Sequence, residues 1–157
     1  MSFARVITCS DAASRGERED RSGLAVRALL EESGFVVDEI VVVPDEVEAI
    51  GGAIEAAAGS GATFVVTTGG TGIAPRDVTP EATRAVCERE IPGFGEVMRA
   101  TSKMGPLSRA GAFTRGTALV VNLPGSVNGA TECLHVILPL IPHALELLTG
   151  ARVEKHP

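Results

Sequence analysis

The chain has 157 residues, 45% hydrophobic and 22% charged, with a mean hydropathy of +0.23, which excludes a disordered polymer and fits one domain, residues 1–157, around a single core. A net charge of −6 and a pI of 5.1 argue against non-specific binding to nucleic acid or an anionic membrane, because neither polyanion is attracted from a distance. No run approaches the roughly 18 uninterrupted apolar residues of a membrane span. The start lacks a secretory signal, and Cys9, Cys87 and Cys133 are too scattered for a disulfide framework or thiolate metal site, so a cytoplasmic protein with reduced thiols is expected.

From the N-terminus, Phe3 to Thr8 reads as a strand and Asp11 to Arg21 as a charged loop, followed by a helix that Ser22 caps and that ends at Glu32 and Gly34. Phe35 to Val43 has the β-branched composition of a buried strand, closed by Pro44. Asp45 and Glu46 open a helix that stops at Gly59-Ser60-Gly61. Thr63 to Thr68 is a third strand, and Thr79-Pro80 caps a helix running to about Glu90. Pro92 precedes a second helical stretch, Phe94 to Met104. Thr117 to Leu123 is a further buried strand, and Ala130 to Leu148 a last helical region that Pro139 and Pro142 kink or divide.

Continuously apolar strands alternating with helices predict a three-layer α/β/α fold with a mainly parallel sheet. Ligands of such sheets bind beyond the carboxyl ends of the strands. Four loops fall there: Ser10-Asp11, Pro44-Asp45, Gly69 to Asp77, and Pro124-Gly125-Ser126. The most informative is Gly69-Gly70-Thr71-Gly72 before Pro75-Arg76-Asp77, because backbone without Cβ atoms adopts positive φ and brings N–H donors close to an anion. It is not a Walker A loop, having no following lysine, nor a dinucleotide fingerprint, since Pro75 stands where a third small residue is required. A phosphate pocket and a plain turn are the two readings of the glycines alone.

These loops carry a family resemblance. Ser10-Asp11-Ala12-Ala13-Ser14-Arg15-Gly16, Asp20-Arg21-Ser22-Gly23, Val43-Pro44-Asp45, Thr67-Thr68-Gly69-Gly70-Thr71-Gly72 and Pro75-Arg76-Asp77-Val78-Thr79-Pro80-Glu81 match in order, as do Ile91-Pro92-Gly93-Phe94-Gly95, Leu107-Ser108-Arg109 and Asn122-Leu123-Pro124-Gly125-Ser126. Across nearly its whole length the chain resembles the MogA/MoaB family of molybdenum-cofactor biosynthesis proteins. The resemblance implies a molybdopterin-binding fold, a homotrimer, and transfer of AMP from ATP to the terminal phosphate of molybdopterin with a divalent metal such as Mg²⁺, releasing pyrophosphate. A downstream molybdate-insertion protein is the further partner it implies. By the same resemblance Asp45 and Asp77 are the two required aspartates, and Gly69, Gly70, Thr71 and Gly72 the phosphate-contacting loop. A non-catalytic molybdopterin-binding or scaffolding module, MoaB-like, is the competing reading.

Mg²⁺ takes one or two carboxylates plus phosphate oxygens, so Asp45 and Asp77 suit it as ligands, direct or through water. Each has a plainer role, Asp45 as a helix N-terminal acid and Asp77 as a turn cap. Arg76 and Arg109 are either phosphate partners or loop cations, with Arg15 and Lys103 weaker candidates. Ser10, Asp11, Ser14 and Ser126 either contact ligand or organise their own turns. His135, His143 and His156 lack the spacing of a helical metal pair and read as structural or solvated. With no Trp or Tyr and only five Phe, a pterin finds few stacking partners.

Overall fold

The strand-forming runs assemble into one six-stranded sheet in the computed structural model, which describes residues 2–150. Its strands are β1 (Phe3–Cys9), β2 (Val36–Val43), β3 (Phe64–Thr68), β4 (Arg89–Ile91), β5 (Gly111–Arg115) and β6 (Ala118–Leu123), in the spatial order β2-β1-β3-β6-β5-β4. Neighbours from β2 to β6 run parallel, whereas β5 and β4 join antiparallel.

The helices are α1 (Asp11–Ser14), α2 (Arg21–Glu32), α3 (Val47–Gly59), α4 (Thr79–Val86), α5 (Pro92–Arg99), α6 (Val127–Ile137) and α7 (Ile141–Leu148). Alternation along the strands sorts them onto two faces. Phe64 and Val66 of β3 pack with Val26 and Leu30 of α2, Met98 of α5, Leu134 of α6 and Ile141 of α7. Val65 points the other way, among Ile50 and Ile54 of α3 and Ala82 of α4. The three-layer α/β/α expectation therefore holds.

Several local expectations do not. Asp11 to Arg21 is not all loop, because Ser10 accepts from the Ala13 N–H at 3.1 Å and nucleates α1. Asp20, not Ser22, caps α2 through the Gly23 N–H at 2.9 Å, while the Ser22 hydroxyl pairs with Thr68 inside the protein. Strand β2 is an edge and is only partly buried, with Val36 45% and Val42 38% exposed. Helix α4 stops at Val86 because the next residues pair as β4 against β5, and β5 itself escaped the sequence reading. The stretch from Phe94 to Met104 is helical only to Arg99.

The break in the last helical region is present as a 3-10 turn over Leu138–Leu140 between α6 and α7. Counted together, Val127–Leu148 is 22 residues long with hydropathy 1.3, long and apolar enough to cross a membrane by length and composition, contrary to the reading that no segment comes close. Interrupting charges do not break that average, and here Ala130, Leu134, Ile137 and Ile141 of the stretch pack fully buried in the core.

Candidate functional site

The four carboxyl-terminal loops expected from the sequence belong to β1, β2, β3 and β6, which are consecutive neighbours in the sheet. The strand order reverses between β1 and β3, the place where open α/β sheets leave a crevice. A cleft of about 750 Å³ opens there, lined by Ser10, Asp45, Gly69, Gly70, Asp77, Gly125 and Ser126 together with Thr8, Asp20, Ser22 and Thr68.

Glycine is required at the turn. Gly69 and Gly70 have φ of +98° and +70°. A Cβ on Gly69 would collide with the Cys9 carbonyl, and one on Gly70 would collide with the Thr79 hydroxyl and stand 3.3 Å from Asp45 Oδ1. The turn is pinned by the Gly69 N–H donating to Leu123 O (3.0 Å), the Thr79 N–H to Gly70 O (3.1 Å) and the Thr79 hydroxyl to Gly69 O (2.9 Å). Thr79 is thus a tether of the turn rather than the N-cap of α4, a place taken by Val78. The Gly69 amide is consumed by β6, whereas the N–H groups of Gly70, Thr71 and Gly72 meet no acceptor among the described residues.

Asp45 and Asp11 bind each other reciprocally. The Asp11 N–H donates to Asp45 Oδ2 at 3.0 Å and the Asp45 N–H to Asp11 Oδ1 at 2.9 Å. Asp45 Oδ1 is left buried without a hydrogen-bond partner. Burial above all, with the nearby charges of Asp11 and Asp77, pushes the Asp45 carboxyl above the ordinary aspartate value, against the opposing pull of the Asp11 amide and Arg76. Asp77 Oδ2 accepts from the Ala74 N–H at 2.9 Å, a turn cap at the same residue that lines the cleft.

Other expected contacts lie outside the cleft lining. Arg76 grips both Asp11 oxygens at 3.0 Å and reaches Glu46 at 3.4 Å, so its guanidinium is already committed to carboxylates. That grip holds Asp11 well below the usual carboxylate range and raises Arg76. Thr71, Gly72 and Pro124 do not line the cleft either. The carbonyls of Thr71 and Gly72 are used elsewhere: Arg109 donates from its amide to Thr71 O (2.7 Å), from Nε to Gly72 O (2.9 Å) and from its fork to Asp77 O (2.7 Å) and Glu81. Arg109 is a clamp on the glycine loop rather than a free cation. The hydroxyl of Ser126 caps α6 through the Gly129 N–H at 3.0 Å. His143 approaches Glu146 at 3.7 Å, and His156 lies outside the described residues.

Asp20, Arg21 and Ser22, which the sequence offers only as a matching segment and a helix cap, line the cleft, as do Arg18 and Glu19, which it marks only as part of a charged loop. Their signal was the density of charge just before the α2 cap. Cys9 also lines it, but burial pushes its thiol up to about 12, which makes it a poor nucleophile.

A divalent cation fits this donor set. The orphaned Asp45 oxygen, the Asp77 carboxylate and the space left beside Gly70 supply one or two hard oxygen ligands, the number Mg²⁺ takes when phosphates and water complete its shell. Among the described residues no group of three or more His, Cys, Asp or Glu side chains forms an all-protein metal cage.

An open, mainly parallel α/β sheet with a double-glycine turn and two acids, beyond the ends of β2 and β3 on either side of β1, defines a protein of the doubly wound class. The chain belongs to the family described as probable molybdopterin binding domain, whose model matches residues 5–143. It is 42% identical over 154 residues to a molybdopterin adenylyltransferase of Helicobacter pylori (strain J99), covering 92% of this chain and 86% of that protein. The crystal structure of the molybdopterin biosynthesis enzyme MoaB from Thermus thermophilus superposes with a TM-score of 0.91 at 45% identity, covering 96% of this chain and 98% of that one. The molybdopterin biosynthesis Mog protein of Mycobacterium ulcerans gives 0.88 at 35% identity, covering 94% and 99%.

Proposed function

We propose that the chain is a molybdopterin adenylyltransferase of molybdenum cofactor biosynthesis, acting in the cytoplasm as a homotrimer, with ATP and molybdopterin as substrates and Mg²⁺ or another divalent cation as cofactor. The observation that carries this reading is the pairing, in one cleft, of the glycine turn with Asp45 and Asp77, in a chain 42% identical to a protein named for that activity. The exposed apolar residues Ile73, just after the glycine loop, and Met104 and Leu107, just before Arg109, support burial between copies.

A terminal phosphate oxygen of molybdopterin attacks the α-phosphorus of ATP, the bond to the β-phosphate oxygen breaks, and pyrophosphate leaves. No proton needs removal from the nucleophile, so positioning and charge neutralisation are the whole task. When bound, the cation supplies charge neutralisation on the phosphates and the leaving group. Asp45 Oδ1 and the Asp77 carboxylate would hold it, the free Gly70 amide would donate to a phosphate oxygen, and the two helix N-termini of α2 and α6 at the cleft favour negative charge. Asp11 fixes the Asp45 rotamer from behind.

Purified protein given molybdopterin, ATP and Mg²⁺ should release pyrophosphate. Retention of molybdopterin without any pyrophosphate would instead identify the non-catalytic binding module.

A further inference from the structure

We propose that Arg18 is the nucleotide-capturing cation of the cleft, engaging the phosphate chain of a nucleoside triphosphate; the proposal rests on the adenylyl-transfer reading above. Charged residues of the cleft wall are Glu19, Asp20, Asp45 and Asp77 against Arg18 and Arg21. Arg21 stands 3.8 Å from Glu19, so those two offset each other. The Asp20 carboxylate is occupied by the Thr8 hydroxyl at 2.8 Å and the Gly23 amide at 2.9 Å. What remains is a wall with more negative than positive charge, facing substrates that are themselves anions.

Arg18 is the exception in that wall. It makes no ion pair and no hydrogen bond with any described residue, whereas Arg15, Arg21, Arg76 and Arg109 each have a carboxylate partner. Its loop is nevertheless held: the chain reverses at Gly16 (φ +74°), the Glu17 amide returns to Ala12 O at 3.0 Å, and Arg21 N–H closes on Glu19 O at 3.2 Å. A positive charge kept at the lip of an acidic cleft and left unpaired suits charge-assisted capture of phosphate oxygens. The triphosphate offers three linked phosphates where the other substrate offers one terminal phosphate, and so presents the most anionic oxygens to this cation. The glycine-turn amides and Asp-held cation at the strand ends would then grip the same chain from below.

The test compares wild type with Arg18→Ala, Arg18→Lys and, as a control outside the cleft lining, Arg15→Ala, in steady-state turnover and in equilibrium binding of MgATP. Arg18→Ala should raise the KM for ATP and the Kd for MgATP about tenfold at low ionic strength. Its kcat and its KM for molybdopterin should stay near wild type. The difference should shrink in about 0.5 M salt, where exposed charges are screened within a few ångströms. Arg18→Lys should recover most of the affinity and Arg15→Ala should match wild type.

An unchanged Kd for MgATP in Arg18→Ala overturns the proposal. So does a lysine variant no better than alanine, which would show a planar stacking role instead of a charge. If wild type binds MgATP yet releases no pyrophosphate, the transfer reading fails while the Kd comparison still decides Arg18; if wild type binds no MgATP, both fall.

Discussion

Asp11 and Asp45, 34 residues apart, exchange backbone amides for carboxylate oxygens in both directions, at 3.0 and 2.9 Å. One oxygen of Asp45 is thereby fixed and satisfied while the other is left bare beside the glycine turn. A carboxylate so held loses little freedom when it meets a cation, which is the condition for pre-organised charge stabilisation.

Asp45→Asn should keep the Asp11 amide bond, slow pyrophosphate release by about a hundredfold or more, and yet leave the protein no less stable. The sign follows from the carboxyl being raised on folding. Its stabilising contribution is complete below the ordinary aspartate value and is lost as pH rises through the raised one, so at pH 7 the ionised group opposes folding. The melting temperature of Asp45→Asn at pH 7, with no metal added, should equal or exceed that of wild type. A clear drop would show that the charge is not the destabilising element.

Asp77→Asn retains an oxygen for the Ala74 amide and so should preserve the turn while costing about a hundredfold in turnover. Near-normal rates in a folded variant would remove Asp77 from the chemistry. Chelating the metal from wild type should abolish turnover in the same assay, and Mg²⁺ should restore it.

Arg76→Ala removes a positive charge that pulls the Asp45 carboxyl down. The acid limb of the kcat/KM profile should move to higher pH in that variant, with little change in kcat on the plateau. A limb that stays in place would mean that another group governs it.

Arg109→Ala should destabilise the protein by about 2–4 kcal/mol in urea unfolding, because the fork satisfies two loop carbonyls and pairs with Glu81. Lysine should not rescue it, since one ammonium cannot span that set in the fork geometry. Full rescue by lysine would reduce Arg109 to a simple counter-charge.

Gly70→Ala puts a Cβ into a left-handed position and against Thr79, so a loss of about 1–3 kcal/mol or more is expected together with lower activity. Wild-type stability would mean that the turn relaxes into another conformation.

Much of this was legible from residues in a line. Apolar β-branched runs located β1, β2, β3 and β6, the last three closed by glycine or proline, and the motifs after them located the four strand-end loops of the cleft, because strand composition and positive-φ glycine are local physics. Helix α2 was anticipated to its last residue and the break between α6 and α7 followed from two prolines. By contrast β4 and β5 are short and carry charges or small residues, so only pairing, of β5 with β6 and of β4 with β5, makes them strands.

Partner choice was decided by the tertiary structure alone. Arg76 reads as a phosphate ligand or a loop cation until the sheet order brings Asp11, 65 residues away, against it. Arg109 likewise becomes a clamp only when its segment meets the glycine loop. Sequence determines which groups are charged and where the backbone turns; which charge meets which depends on distances through space, set by packing a sheet in which β3 lies between β1 and β6, strands distant from it in the chain.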